Sequence, residues 1–314
     1  MKKWAWLALP FICLIGTAGA EIELINPTDK LVTFDEIVML QGSVSPPAEV
    51  RIEGVVFRPQ PNGVFACGLV LNPGKNLVLV GRGEEEKKLR LLHLVTYPDI
   101  EITYDGKKHW ARGQIVYLSS LKVIEGYPDG NFYPANPVTR GEFATWLARV
   151  KKLPVPVLTG DVFFDVPKEH WRAPYVKAVV EAGYMPPYSK EMFGIDDPIS
   201  RSEAADLAVK TEGLGIVSKI IPLFRDVPQE ELVAAPIYAA KEKGLVIGVS
   251  AEMPIYDPNR AITRAEAATL ISRFGSAQES IRYLSDFEKG YTNDKLCGLN
   301  VAPAIVNFTA APRE

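Results

Sequence analysis

Three short stretches repeat one arrangement of hydroxyl, arginine and carboxylate: Thr139-Arg140-Gly141-Glu142, Ser200-Arg201-Ser202-Glu203 and Thr263-Arg264-Ala265-Glu266. Ser or Thr followed three residues later by Glu is a capping box: the hydroxyl accepts from the third helical N–H, and the glutamate reaches back to the cap's own N–H. Hydroxyl and glutamate are thus explained by local structure, but the arginine is not. At the first helical position a cation opposes the helix macrodipole by a few tenths to about 1 kcal/mol. Free N–H groups at a helix start already attract anions, and a guanidinium adds a fork matched to carboxylate or phosphate. Arg140, Arg201 and Arg264 are therefore candidate anion sites. The competing account is that each pairs with an acidic residue of a neighbouring repeat and locks the fold.

The elements that position these residues come from an internal repeat. Arg140 and Arg201 are 61 residues apart, as are Trp110 and Trp171, and Asp165 and Asp226; Arg201 and Arg264 are 63 apart. In each copy, apolar residues at three- and four-residue intervals predict a first helix, in "HWARGQIVYLSSLKVI", "HWRAPYVKAVVEAGYM" and "ELVAAPIYAAKEKGLV". A loop rich in Pro, Gly, Asn and Asp follows, and then the second helix at Thr139, Ser200 or Thr263. Neither helix buries its apolar stripe alone, so three copies must share a core. The expected limits are 103–152, 160–213 and 221–275, one domain over 103–275.

Ahead of the repeats, from Glu21 to about residue 100, short alternating apolar segments are punctuated by Asn-Gly and Pro-Gly. That pattern predicts an antiparallel β-sandwich. Residues 1–20, with two lysines, a short apolar run and a small-residue ending at Ala20, have the layout of a secretory signal peptide. Residues 276–314 read as a tail or linker, in which "AIVNFTA" is either a strand added to the sandwich or an exposed segment. Cys67 and Cys297 are left after signal removal; they form a disulfide between tail and sandwich, or stand as two separate buried thiols.

A net charge of −3 with mixed signs argues against nucleic-acid binding, so an anionic ligand must be met locally. Trp110, Trp171, Phe132, Phe193 and Tyr256 recur at repeat positions and are expected to be core. Asp129 lacks the spaced acidic partners of a calcium loop. His109 and His170 share a slot with Glu231, which argues against a metal ligand or general base. No nucleophile, carboxylate pair or metal cluster stands apart from the scaffold, so neither enzymatic activity nor a cofactor is expected.

The motif order F-x-D-V-P, H-W, G-Y-P-D-G-x-F and T-R-x-E resembles the surface-layer homology (SLH) domain, three copies of which span about 103–275. The spacing of strands and turns before it resembles the bacterial immunoglobulin-like modules of exported proteins. Together these imply an all-β immunoglobulin-like sandwich followed by an all-α pseudo-threefold bundle. The SLH resemblance further implies an exported cell-envelope protein whose grooves between repeats bind anionic cell-wall polysaccharide, in several members a pyruvylated polymer, with the arginine of T-R-x-E meeting its carboxylate. That role falls on Arg140, Arg201 and Arg264, and the glycine admitting the sugar is Gly126 or Gly248. The second copy has Pro187 at this slot and Asp196-Asp197 before its arginine, so the groove using Arg201 is expected to be degenerate; the third has Leu232 for tryptophan. Other partners are an envelope protein contacted by the sandwich, or, in the alternative reading, one docked by the repeats without sugar binding.

Overall fold

The computed structural model describes residues 21–103, 105–215, 224–228, 230, 232–249, 253–289 and 303–306. The expected signal segment and Cys297 lie outside the described residues; Cys67 is buried in the core of the strand region.

The N-terminal strands are β1 (Glu21–Asn26), β2 (Leu31–Thr33), β3 (Ile37–Ser45), β4 (Val50–Ile52), β5 (Val55–Phe57), β6 (Val64–Val70), β7 (Gly74–Arg82) and β8 (Glu85–His93). Alternate residues of β3 and β7 are buried, as the period-two pattern requires. Leu40, Val50, Ile52, Leu69, Val78, Val80 and Leu91 fill the core between two sheets. One sheet runs β2-β8-β7-β4-β5, with β2 parallel to β8. The other runs β1-β3-β6-β9, where β9 (Ala304–Val306) comes from the far end of the chain and pairs antiparallel with β6.

Helices follow: α1 (Pro98–Glu101), α2 (Arg112–Ser120), α3 (Arg140–Val150), α4 (Ala173–Glu181), α5 (Arg201–Thr211), α6 (Ala234–Glu242), α7 (Arg264–Ser272) and α8 (Gly275–Glu288). The pairs α2/α3, α4/α5 and α6/α7 are the first and second helices of the three repeats. Among the described residues none is long and apolar enough to cross a membrane.

The expected division into an all-β immunoglobulin-like sandwich and an all-α bundle is not what the fold contains. The strand region is a mixed two-sheet assembly completed by a C-terminal strand. The helical region is closed at its centre by extended backbone: the Val138 N–H donates to the Ile262 carbonyl at 3.0 Å, Ile262 to Ile199 at 3.0 Å, and Ile199 to Val138 at 3.2 Å. Isolated bridges Pro137–Thr263, Thr139–Pro198 and Ser200–Ala261 flank this ring. The physical reason is length. The second helices span only 9 to 11 residues, so the segments leading into them supply part of the cohesion through backbone pairing.

The first repeat also opens earlier than its Thr103 boundary. Asp165 accepts the backbone N–H groups of Phe193, Gly194 and Ile195, and Asp226 accepts those of Tyr256 and Asp257. In the first copy Asp99 does this for Phe132 and Tyr133. Tyr97, packed on Phe132, matches Phe163 on Phe193 and Phe224 on Tyr256. Tyr97-Pro98-Asp99-Ile100 is therefore the F-x-D-V opening of the first copy.

Candidate functional site

Each helix start is built by two adjoining repeats. The first two N–H groups of α3 donate to the carbonyls of Asp197 and Ile195, those of α5 to Arg260 and Pro258, and those of α7 to Asn136 and Pro134, at 2.8 to 3.0 Å. The third N–H goes to the capping hydroxyl in every case. The N–H groups on which an anion site would rest are thus taken by protein oxygen. Thr139/Glu142 and Thr263/Glu266 form complete capping boxes. At Ser200 only the hydroxyl bond from the Glu203 N–H is formed.

The three arginine side chains are buried, at 2, 6 and 1% exposure for Arg140, Arg201 and Arg264. Arg264 donates through Nε to the Phe132 carbonyl (2.8 Å), through Nη2 to the Glu125 carbonyl (2.6 Å), and through Nη1 to Glu142 Oε1 (2.7 Å). Arg201 makes the same set to Tyr256 (2.7 Å), Ile247 (2.9 Å) and Glu266 Oε1 (2.9 Å). Arg140 makes it to Phe193 (2.8 Å), Pro186 (2.8 Å) and Glu203. Each guanidinium therefore clamps both ends of the loop of the following repeat and pairs with that repeat's T-R-x-E or S-R-x-E glutamate. The relation is cyclic, with Arg264 of the third copy closing on the first. The cation at the helix start is stabilised by two carbonyls and a carboxylate, which outweigh the macrodipole.

Burial pushes the Glu203 carboxyl up, and Arg140 only partly offsets it. Burial acts the same way on Glu266, but hydrogen bonds from Arg260 and the Thr263 N–H, with the Arg201 charge, hold it below the usual carboxylate range. Burial also raises the Tyr256 phenol to about 12, keeping it a neutral donor to the Arg201 carbonyl at 2.9 Å.

The glycines have packing reasons of their own. A Cβ on Gly126 would lie 2.3 Å from Tyr97 Cε1, and one on Gly248 would lie 2.7 Å from the Ile255 carbonyl and 3.1 Å from Phe224. Phe132, Phe193 and Tyr256 are core, as expected, but Trp110 and Trp171 are not: they are 63 and 49% exposed.

The exposed tryptophans stand at the grooves. A cavity of about 370 Å³ beside Arg201 is lined by Trp110, Gly248, Tyr256, Arg260, Glu266 and Arg273. Its loop comes from the third repeat, its buried arginine from the second and its tryptophan from the first. The groove at Arg264 follows the same rule one step round. Its loop is that of Gly126; Trp171 is stacked by Arg172 at 4.1 Å, and Arg172 lies 3.6 Å from Glu125 and 3.7 Å from Glu142. Arg149 pairs with Glu125.

By the same rule the groove at Arg140 combines the loop of Pro187 with Leu232 at the tryptophan slot. The Tyr188 ring lies 4.0 Å over the Arg140 guanidinium, as Tyr127 lies 4.7 Å over that of Arg264, and a Cβ on Gly194 would meet Tyr188 and Asp197. The expectation that Pro187 and Asp196-Asp197 impair the groove using Arg201 is thus reassigned: the Pro187–Asp197 loop is held by Arg140. Sequence reasoning missed Arg149, Arg172, Arg260 and Arg273. Of these, Arg149 and Arg273 were legible as a basic slot nine residues after the repeat arginine, filled by Lys210 in the second copy.

The S-layer homology domain model matches residues 103–144, 163–205 and 223–268. The chain carries three S-layer homology domains and belongs to that family. Similar proteins include the S-layer protein EA1 of Bacillus anthracis, 28% identical over 57% of this chain and 21% of its own length. The cellulosome-anchoring protein of Acetivibrio thermocellus is 29% identical over 54% of this chain and 38% of its own length. An exoglucanase XynX of Acetivibrio thermocellus is 29% identical over 62% of this chain and 17% of its own length. The chain thus spans well under half the length of these relatives.

Proposed function

We propose that the chain is a non-catalytic, exported cell-envelope protein whose repeats anchor it to an anionic cell-wall polymer, pyruvylated polysaccharide being one such class. The observation that carries this reading is the clustering of arginines and an exposed indole in grooves between S-layer homology repeats. Arg264 and Arg201 form the positive floor. Each uses one N–H at Nε and one at each Nη for protein acceptors, and a guanidinium has five. Relatives named as S-layer and cellulosome-anchoring proteins point the same way. Two grooves on one chain strengthen attachment by raising the effective concentration at the second contact.

The test is retention on purified sacculi before and after chemical removal of non-peptidoglycan polymers. Polymer anchoring predicts retention on intact and loss on stripped sacculi. A second reading, docking of another envelope protein without sugar binding, draws on the burial of the three helix-start arginines and their engagement by protein acceptors at Nε and both Nη atoms. Capture of an envelope protein with no retention on either kind of sacculus would support it. Hydrolysis of wall glycans by the purified protein would contradict the non-catalytic reading.

A further inference from the structure

We propose that copies of this chain associate head to tail, the hairpin of β4 and β5 of one copy docking on the groove at Arg140 of the next. This goes beyond the anchoring reading and does not depend on it.

The rim of the groove at Arg140 is apolar. Leu232 is 97% exposed and Phe164 90%, and Tyr188 and Met192 are exposed too. The Phe164 N–H donates to the Glu191 carbonyl at 2.8 Å, which ties this residue to the loop that Arg140 clamps. The slot of Phe164 holds Pro98 in the first copy and Arg225 in the third, and that of Met192 holds Asn131 and Ile255. Apolar side chains gathered at one site and left in water mark a surface that another protein covers.

Charge sets this groove apart as well. Three residues before the helix cap, Asp197 stands where the third copy has Arg260. Five residues after the repeat arginine, Asp206 stands where the others have Thr145 and Thr269. Lys210 is tied to Asp206 at 2.5 Å, and Arg140 is buried beneath the Tyr188 ring and paired with Glu203. Asp197, Glu203 and Asp206 thus outnumber the two cations; burial and the Asp206 charge push the Glu203 carboxyl up against the pull of Arg140. The complementary surface is apolar and cationic.

The same chain carries such a surface. β5 ends its sheet and pairs with β4 alone among the described strands, so one side of its backbone is unpaired. Val55 and Val56 are 47 and 49% exposed, the exposed Arg51 stands opposite Val56, and Arg58 follows Phe57. Arg58 meets Glu49 at 3.2 Å in an exposed pair, which a partner's carboxylate can replace at little cost. Edge strands are ordinarily guarded by charge, proline or a bulge. β1 has Glu21, Glu23 and a bulge between Leu24 and Asn26, whereas Val55–Phe57 has none of these. Ile25, Phe34 and Ile37, also exposed, lie next to Glu23, Asp35 and Glu36 in the chain, the wrong sign for this groove.

A single copy does not join the two surfaces. The strand region rests on the first repeat at the Gly74 end of β7, where the Val95 N–H donates to Ser120 Oγ at 2.9 Å and a Cβ on Gly74 would lie 3.0 Å from the Ser120 carbonyl. β4 pairs with β7 at Val80 and Gly81, about 20 Å further along that strand. The groove takes its exposed walls from the second and third repeats. Hairpin and groove therefore meet between copies, and a contact between unlike surfaces propagates from one copy to the next.

The test is sedimentation velocity over a concentration series on the full exported chain, on the groove variant F164S/L232S, on the hairpin variant R51E/V56T, and on an equimolar mixture of the two variants. All four side chains are exposed, so the fold is expected to hold, which circular dichroism checks; if a double variant loses its spectrum, L232S and R51E alone carry the comparison. The parent is expected to grow past the dimer as concentration rises, and less so at high salt. Each variant alone should associate at least about tenfold more weakly. The mixture should stop at a dimer, because each member keeps one working surface. A parent that stays monomeric overturns the proposal and leaves the groove to a different protein. Variants that associate as the parent does, or a mixture that is not dimeric, overturn it equally. No sacculi are present, so failure here is separate from failure of polymer anchoring.

Discussion

The arginines at the axis and those at the rim are chemically identical and do opposite things. Arg140, Arg201 and Arg264 are withdrawn from solvent and hold the repeats to one another. Arg149, Arg172 and Arg260 stand in or beside the grooves with side chains 24, 19 and 35% exposed, and Arg273 lines the groove at Arg201. The difference teaches that a recurring charged residue marks a recurring environment, which is not by itself a recurring ligand contact. Here the axis positions the loops, and the loops carry the groove walls.

The largest effect is expected where the axis is broken. Glu142→Gln removes the partner of Arg264, whose side chain is 1% exposed against 4% for the glutamate. Stranding a buried charge costs about 3–5 kcal/mol. Urea denaturation should show a loss of that order, with a smaller loss for Arg260→Gln at the rim, where the side chain is 35% exposed. Equal losses would erase the distinction between axis and rim.

Altering the groove at Arg140 should sharpen the comparison next. Pro187→Gly with Leu232→Trp gives it the glycine and tryptophan that the other two grooves carry, and a gain in sacculus affinity of a few-fold is expected from the added contact. No gain from the pair, with the fold intact, would assign the difference between the grooves to Asp197.

Smaller effects come from the caps. Thr139→Ala removes the hydroxyl of a complete capping box, and Ser200→Ala that of a half-formed one. Each loss is about 1 kcal/mol or less, the Thr139 change costing more. Thermal midpoints should order them in that way.

The glutamates also predict acid behaviour. The folded pKa of Glu266 is depressed, so its contribution is fully present above the ordinary glutamate value of 4.5 and is lost as pH falls through the folded pKa. Glu203 is raised, so its protonation in the folded state begins above 4.5, and stability tied to it rises as pH falls through that window. Glu266→Gln should flatten the acid limb of the stability profile below pH 4.5; a profile unchanged by this substitution would detach Glu266 from acid sensitivity.

Much of this was legible in the sequence, for a physical reason. Helix starts and caps depend on residues three or four apart, and the repeat places them at a fixed spacing. The partner of each arginine was not legible, because spacing along a chain does not say that Arg264 closes on the loop of Gly126 while Arg140 holds that of Pro187. The opening of the first copy was hidden by added length: eleven residues separate Asp99 from Trp110, against six between Asp165 and Trp171. Trp110 and Trp171 misled through composition, since a recurring aromatic fits a core slot and a groove wall equally well. The ring of backbone bonds at Val138, Ile199 and Ile262 involves no distinctive side chain, so the extended centre of the helical region left no mark in the pattern.

The most direct test of the groove assignment uses the tryptophans as reporters. In protein labelled with 5-fluorotryptophan, Trp110 reports the Arg201 groove, Trp171 the Arg264 groove and Trp146 the buried core. Substitution of each by phenylalanine assigns its fluorine resonance. Titration with polymer released from purified sacculi should shift the Trp110 and Trp171 resonances and leave Trp146 in place. Binding of the polymer with both groove resonances unmoved would contradict the account.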